Sequence, residues 1–132
     1  MATSTTETWH RHTPSIEVPA CLYLDRLTDD RDGLVLLLSE QQNGPQLQVL
    51  FDGYLSYRNT DEGDLLVTLV KLKDLTPWPL FRVDNSAYLD WFHSESYGIH
   101  QGEPIQHFVI ATPGDVVEVL TLGEPELTWL AG

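Results

Sequence analysis

Apolar positions fall into short runs separated by polar, proline and glycine breaks, a spacing that predicts strands joined by turns over most of the chain. Residues 21–27 read as a first strand, and the polar cluster Asp29, Asp30, Arg31, Asp32 and Gly33 as the turn after it. Residues 34–38 are apolar without alternation, which suits a strand covered on both faces. The Asn43–Gly44 pair ahead of residues 47–51 then predicts an antiparallel hairpin. Asp52 and Gly53 mark a further turn or bulge before a strand at 54–58.

Two periods compete over residues 61–73. Asp61, Glu62 and Asp64 sit where a helix amino end favours anions, Leu65, Leu66, Leu69 and Leu72 form a helical stripe, and Lys71 and Lys73 close it. Against this, Val67, Thr68 and Val70 are β-branched, and Leu66, Thr68, Val70 and Leu72 alternate as a strand would. Helix is the favoured reading. Pro77 and Pro79 end the segment, and 80–83 is a short strand. Residues 85–97 form the clearest helix, with Asp84, Asn85 or Ser86 as amino-terminal cap, Tyr88, Leu89, Phe92 and Ser96 on one face, and Gly98 as the left-handed stop. A loop at 100–104 leads into strands at 106–111 and 116–120, joined through Thr112, Pro113, Gly114 and Asp115, and residues 126–130 offer a last strand. The order predicts an α+β fold, an antiparallel sheet with two helices packed on one face; the alternative is a mainly β barrel or sandwich in which 61–74 is strand.

With 132 residues, 42% of them hydrophobic, the chain has material for one core without disulfides or metals. Residues 1–19 are rich in Thr and Ser and lack either period, so they read as a flexible leader before a single domain at 20–132. Twenty carboxylates against seven Lys and Arg give a net charge of −13, which excludes nucleic acid as a direct partner and disfavours an anionic membrane. The single cysteine, Cys21, reads as a small buried hydrophobe, and together with the absence of a signal-like amino terminus it points to a cytoplasmic setting. No cofactor is expected.

Charge is unevenly placed. All seven Lys and Arg lie at or before Arg82, whereas residues 84–132 carry eight carboxylates and no Lys or Arg. Such a half produces a negative field that draws a positive partner. Asp90, Glu95, Glu103, Glu118, Glu124 and Glu126 are its candidate carriers, with Trp91 and Tyr97 as the aromatic anchors beside them. Period two sets Glu118 opposite Val117 and Val119, on an outer face. His93, His100 and His107 are seven apart but fall on a helix, a loop and a strand, so no metal site is expected from them. Cys21 or Ser94 with His107 and Glu95 or Glu118 supplies the residue types of a hydrolase, without a nucleophile elbow or phosphate-binding glycine loop.

The stretch NSAYLDWFHSESYG at 85–98, HFVIAT at 107–112 and DVVEVL at 115–120 with Glu124 and Pro125 resembles a group of small uncharacterised bacterial proteins that are themselves similar to polymorphic-toxin immunity proteins. The resemblance implies a cytosolic α+β domain that binds and blocks another protein. Residues and resemblance together lead to an acidic protein-binding module, an immunity-type inhibitor of a basic toxin or enzyme. Its partner-binding residues are Asp90, Trp91, Glu95, Tyr97, Glu103 and Glu118. The alternatives are a small hydrolase or lyase using His107 with a carboxylate, and a structural or assembly subunit that pairs with a second copy of itself.

Overall fold

The computed structural model describes residues 7–130 and builds them into two antiparallel sheets and two helices, a sheet-rich α+β fold. The strands are β1 (Thr8–Arg11), β2 (Tyr23–Asp30), β3 (Gly33–Ser39), β4 (Gln46–Phe51), β5 (Tyr54–Asp61), β6 (Leu80–Asp84), β7 (Gln106–Ala111), β8 (Asp115–Thr121) and β9 (Glu126–Trp129). The helices are α1 (Leu66–Leu72), entered through a 3₁₀ turn at Glu62–Asp64, and α2 (Ala87–Glu95). One sheet runs β2-β3-β4-β9 and the other β1-β6-β7-β8-β5.

Two sheets stand where one was expected. The turn at Asp52 and Gly53 does not fold β5 back onto β4; β5 pairs instead with β8, placing Arg58 opposite Glu118. The two-sheet arrangement matches that part of the sandwich alternative, but residues 61–74 are helical rather than strand. The periodic signal alone does not name a strand's partner, which is why this transfer from sheet to sheet is invisible in the pattern.

The main core lies between the sheets. Leu34, Leu36 and Leu38 of β3 and Leu47, Val49 and Phe51 of β4 meet Leu80, Phe108, Ile110, Val117 and Val119 from the other sheet. Gly33 is required at its position: its φ is +120°, and a Cβ there would sit 2.8 Å from the Phe51 carbonyl oxygen. On the opposite side of the five-stranded sheet, Trp9, Phe81, Val83, Val109 and Val116 form a second cluster with Leu72 of α1. Tyr88 of α2 meets His107 of β7 edge to face, with ring centroids 5.4 Å apart.

β1 lies within the segment expected to be a flexible leader. Thr8 to Arg11 pair in register with β6, Trp9 is buried, and Val18 joins the main core. Residues 1–6 of that expected leader fall outside the described residues. A four-residue edge strand with one inward side chain is too short to show a period. Glu7, just ahead of it, accepts hydrogen bonds from Trp9 Nε1 at 3.0 Å, Lys71 Nζ at 2.7 Å and the Ala87 backbone N–H at 2.8 Å, and so ties β1 to both helices. Cys21 is exposed, contrary to the buried role expected of it, because it precedes β2 instead of lying within it. No helix among the described residues is long and apolar enough to cross a membrane.

Candidate partner-binding surface

α2 is positioned from its first residue. Asn85 takes a left-handed φ of +55°, Ser86 is extended, and the Ser86 hydroxyl accepts the Leu89 N–H at 3.0 Å as the helix cap. That same hydroxyl lies 2.7 Å from His107 Nδ1. The Glu118 carboxylate only accepts, so His107 Nε2 donates to it at 3.0 Å. Arg58 completes the chain with two bonds to the Glu118 carboxylate, 2.8 and 3.0 Å.

Glu118 is therefore not an outward carboxylate offered to a partner. It does point away from Val117 and Val119, as alternation requires, but that face is covered and Glu118 is 2% exposed. Burial alone raises its pKa, yet the hydrogen bonds from His107 and Arg58 more than offset this and hold it below the ordinary carboxylate range. The Arg58 guanidinium also stands 4.1 Å over the Tyr88 ring, and the Tyr88 hydroxyl contacts Ser56 Oγ at 2.5 Å. Burial pushes the Tyr88 hydroxyl pKa up. The whole network acts as a mount that holds the amino end of α2 on the sheet.

At the carboxyl end the helix closes with two consecutive left-handed residues, Tyr97 at φ +54° and Gly98 at +71°. The Gly98 N–H bonds to the His93 carbonyl at 2.8 Å, and Ser96 returns both its N–H and its hydroxyl to the Phe92 carbonyl. The following loop is folded tightly on itself. Gln101, Glu103 and Ile105 donate backbone bonds to Gly98, His100 and Glu103, the His100 ring stacks on Phe92, and His100 Nδ1 contacts the Glu103 carboxylate.

These ends leave an apolar and acidic outer surface. Tyr97 is 96% exposed, Ile99 76% and Trp91 52%, with Trp91 stacked on Tyr88. Asp90, Glu95 and Glu103 are exposed beside them in the helix and loop. Of the six expected partner-binding residues, five thus lie on α2 and its loop, and Glu118 lies beneath. The other carboxylates of the acidic half do not join this surface as one sheet of charge. Asp84 pairs with His10, Asp115 begins β8 opposite Asp61, Glu124 borders a cavity beside His12, and Glu126 lies on β9 in the other sheet. The uneven charge along the chain contracts in space to three carboxylates around α2.

Arg58 and Ser86 as network members, and Ile99 as an exposed apolar side chain, were not singled out for these roles in the sequence. Ser86 is legible only as one of three capping candidates, and Arg58 acquires its role through a cross-strand register that pattern reading does not supply. Of the groups expected of a hydrolase, His107 and Glu118 meet at 3.0 Å, and Cys21 stands apart from them. Cys21 lines a cavity of about 250 Å³ beside Pro77 and Trp78, and His107 borders a smaller one beside Arg82 and Ile105. Comparison with protein-family models, with curated proteins and with solved structures finds no match to this chain.

Proposed function

We propose that this chain is an acidic protein-binding module of the immunity type, acting in the cytoplasm, whose α2 and following loop cover a basic surface of a toxin or enzyme. In this reading both helices overlie one outer face of the five-stranded sheet, and α2 is the half that meets the partner. The observation that carries it is Tyr97: an aromatic side chain, 96% exposed, fixed in a left-handed backbone that glycine would occupy at less cost. Strain of this kind persists where the surroundings hold it, and it concentrates at binding sites. Tyr97, Ile99 and Trp91 supply desolvatable anchors, while Asp90, Glu95 and Glu103 steer the approach of Lys and Arg and pair with them at the rim.

The hydrolytic alternative pairs His107 with a carboxylate; Glu118 lies 3.0 Å from one ring nitrogen, and Ser86 lies 2.7 Å from the other as the available hydroxyl. Ser86 is 4% exposed and its oxygen already accepts the helix N–H, so a substrate carbonyl has no approach to it and the binding reading is better supported.

The test captures partners from the native cytoplasm on immobilised wild-type chain and on a Trp91→Ala, Tyr97→Ala double variant, followed by calorimetry with each purified partner. The expected outcome is a basic protein that the variant binds at least ~10-fold more weakly, with affinity falling as salt rises through the physiological range. Equal binding by the variant, or affinity indifferent to salt, overturns the proposal.

A further inference from the structure

The inner side of α1 closes over a cavity of about 250 Å³, with Leu69 and Leu72 of the helix, Trp78 and Val116 of β8 among its walls. Cys21, itself exposed, stands at its mouth. The Trp78 ring is fixed in place, because its Nε1 donates to the His12 carbonyl at 2.9 Å. Walls of this kind hold water poorly, since an ordered water needs about two to four polar partners. A cavity of ~150 Å³ lined by apolar side chains takes up one benzene ring, and drug-sized ligands begin at ~300 Å³. The space here therefore admits a single ring with a short tail.

Charge selects what that tail carries. Among the described residues Glu62, in the 3₁₀ turn ahead of α1, is the only charged one that lines the cavity. Its N–H donates to the Gly114 carbonyl at 3.2 Å and its carbonyl accepts the Leu65 N–H at 3.1 Å, which holds the residue over the turn between β7 and β8. The side chain is half-buried, yet it accepts no hydrogen bond and forms no ion pair among the described residues. A carboxylate partly withdrawn from water beside apolar walls gains from a cation that brings its own N–H donors. The charged neighbours do not meet that need. Asp61, Asp64, Lys73, Asp74 and Asp115 line no part of the cavity, Lys71 is engaged by Glu7, and Arg11 is bonded through Nε to the Leu75 carbonyl at 2.8 Å. The surplus of carboxylates among them favours a cation over an anion.

We propose that this cavity binds a small aromatic amine, with its ring among Leu69, Leu72, Trp78 and Val116 and its ammonium on the Glu62 carboxylate. The ring gains by leaving water and by packing on Trp78, and the ammonium supplies the donors that Glu62 lacks. A ligand of about nine non-hydrogen atoms with one charged contact at the edge of solvent binds weakly, with a Kd on the order of 0.1–1 mM.

Calorimetry on the full chain at about 0.15 M salt compares 2-phenylethylamine with 2-phenylethanol and 3-phenylpropanoate, which share a ring and differ in charge. The amine is expected to bind at least ~10-fold more tightly than the alcohol, and the acid more weakly than either. Glu62→Gln keeps the shape of the wall and is expected to bring the amine down to the affinity of the alcohol. Asp64→Asn removes the same charge from outside the cavity and is expected to leave the preference within ~2-fold. Alkylation of Cys21 by iodoacetamide locates the ligand: its rate is expected to fall at least ~5-fold at saturating amine, with the half-effect at the calorimetric Kd. Equal affinity for amine and alcohol, equal effects of the two substitutions, or a Cys21 rate indifferent to the amine overturns the proposal. Neither substitution touches Trp91, Tyr97 or Ile99, so the outcome is independent of partner binding through α2.

Discussion

Glu118 shows how far one residue can be read and where reading stops. A lone carboxylate inside Val116 to Leu120 is conspicuous in the sequence, and alternation correctly sets it on the face away from Val117 and Val119. What covers that face depends on chain segments brought from positions 58, 86 and 107, which no local pattern contains. Once buried, the carboxylate is stabilised by charge-assisted bonds from both sides, so removing it leaves a buried imidazole without its acceptor and a half-exposed guanidinium without its partner. We expect Glu118→Ala to cost about 1–3 kcal/mol in urea unfolding, most of it from the buried His107 ring losing its acceptor while the half-exposed Arg58 turns to water, and simultaneous replacement of Arg58, His107 and Glu118 by apolar residues of similar volume to recover much of that loss. A cost below ~1 kcal/mol for Glu118→Ala would show that the network contributes nothing to holding α2.

Among the elements, legibility followed the length and purity of the period. The hairpin of β3 and β4 and the hairpin of β7 and β8 stand where Asn43–Gly44 and the Thr112 to Asp115 turn announce them, and Thr112 closes the second turn with its backbone and hydroxyl on Asp115. Helix α2 begins at a capping serine and stops at Gly98, both visible as residue types. Over 61–73 the helical stripe prevailed over alternation because Leu72 has a cluster to join on the sheet, a tertiary fact. The end of α2 yields a comparison between neighbours. Gly98→Ala forces an alanine to φ +71° and is expected to cost about 1–2 kcal/mol, lowering the thermal midpoint by several degrees. Tyr97→Gly relieves a residue already at φ +54° and is expected to stay within ~1 kcal/mol of wild type while partner affinity falls. Differential scanning calorimetry on both decides the matter: if Tyr97→Gly unfolds as early as Gly98→Ala, the tyrosine is held for stability and not for recognition.

For the molecule as a whole, net charge and specific pairing pull acid stability in opposite directions. Lowering pH relieves the self-repulsion of a −13 chain, but it also protonates groups that the fold holds charged or neutral for a reason. Burial depresses His12, so its share of stability is present above its ordinary value of 6.5 and fades as pH drops below it. Glu7 and Glu118 are raised by burial but lowered further by their hydrogen bonds, and their share is present above 4.5 and is lost as pH falls through their depressed values. At about 0.5 M salt, where repulsion between exposed charges is largely screened, urea midpoints should decline gently below pH 6.5 and steeply below 4.5. A midpoint that climbs steadily into strong acid would mean that these groups are not paired in solution. The sheet count was the main global feature the pattern withheld, because a strand leaving one sheet for another keeps the same alternation in both.

Glu7 has a consequence that reaches across the molecule. Its carboxylate binds both Lys71 of α1 and the first N–H of α2. Loss of that carboxylate releases both attachments at once, so the two helices are expected to loosen together and not one at a time.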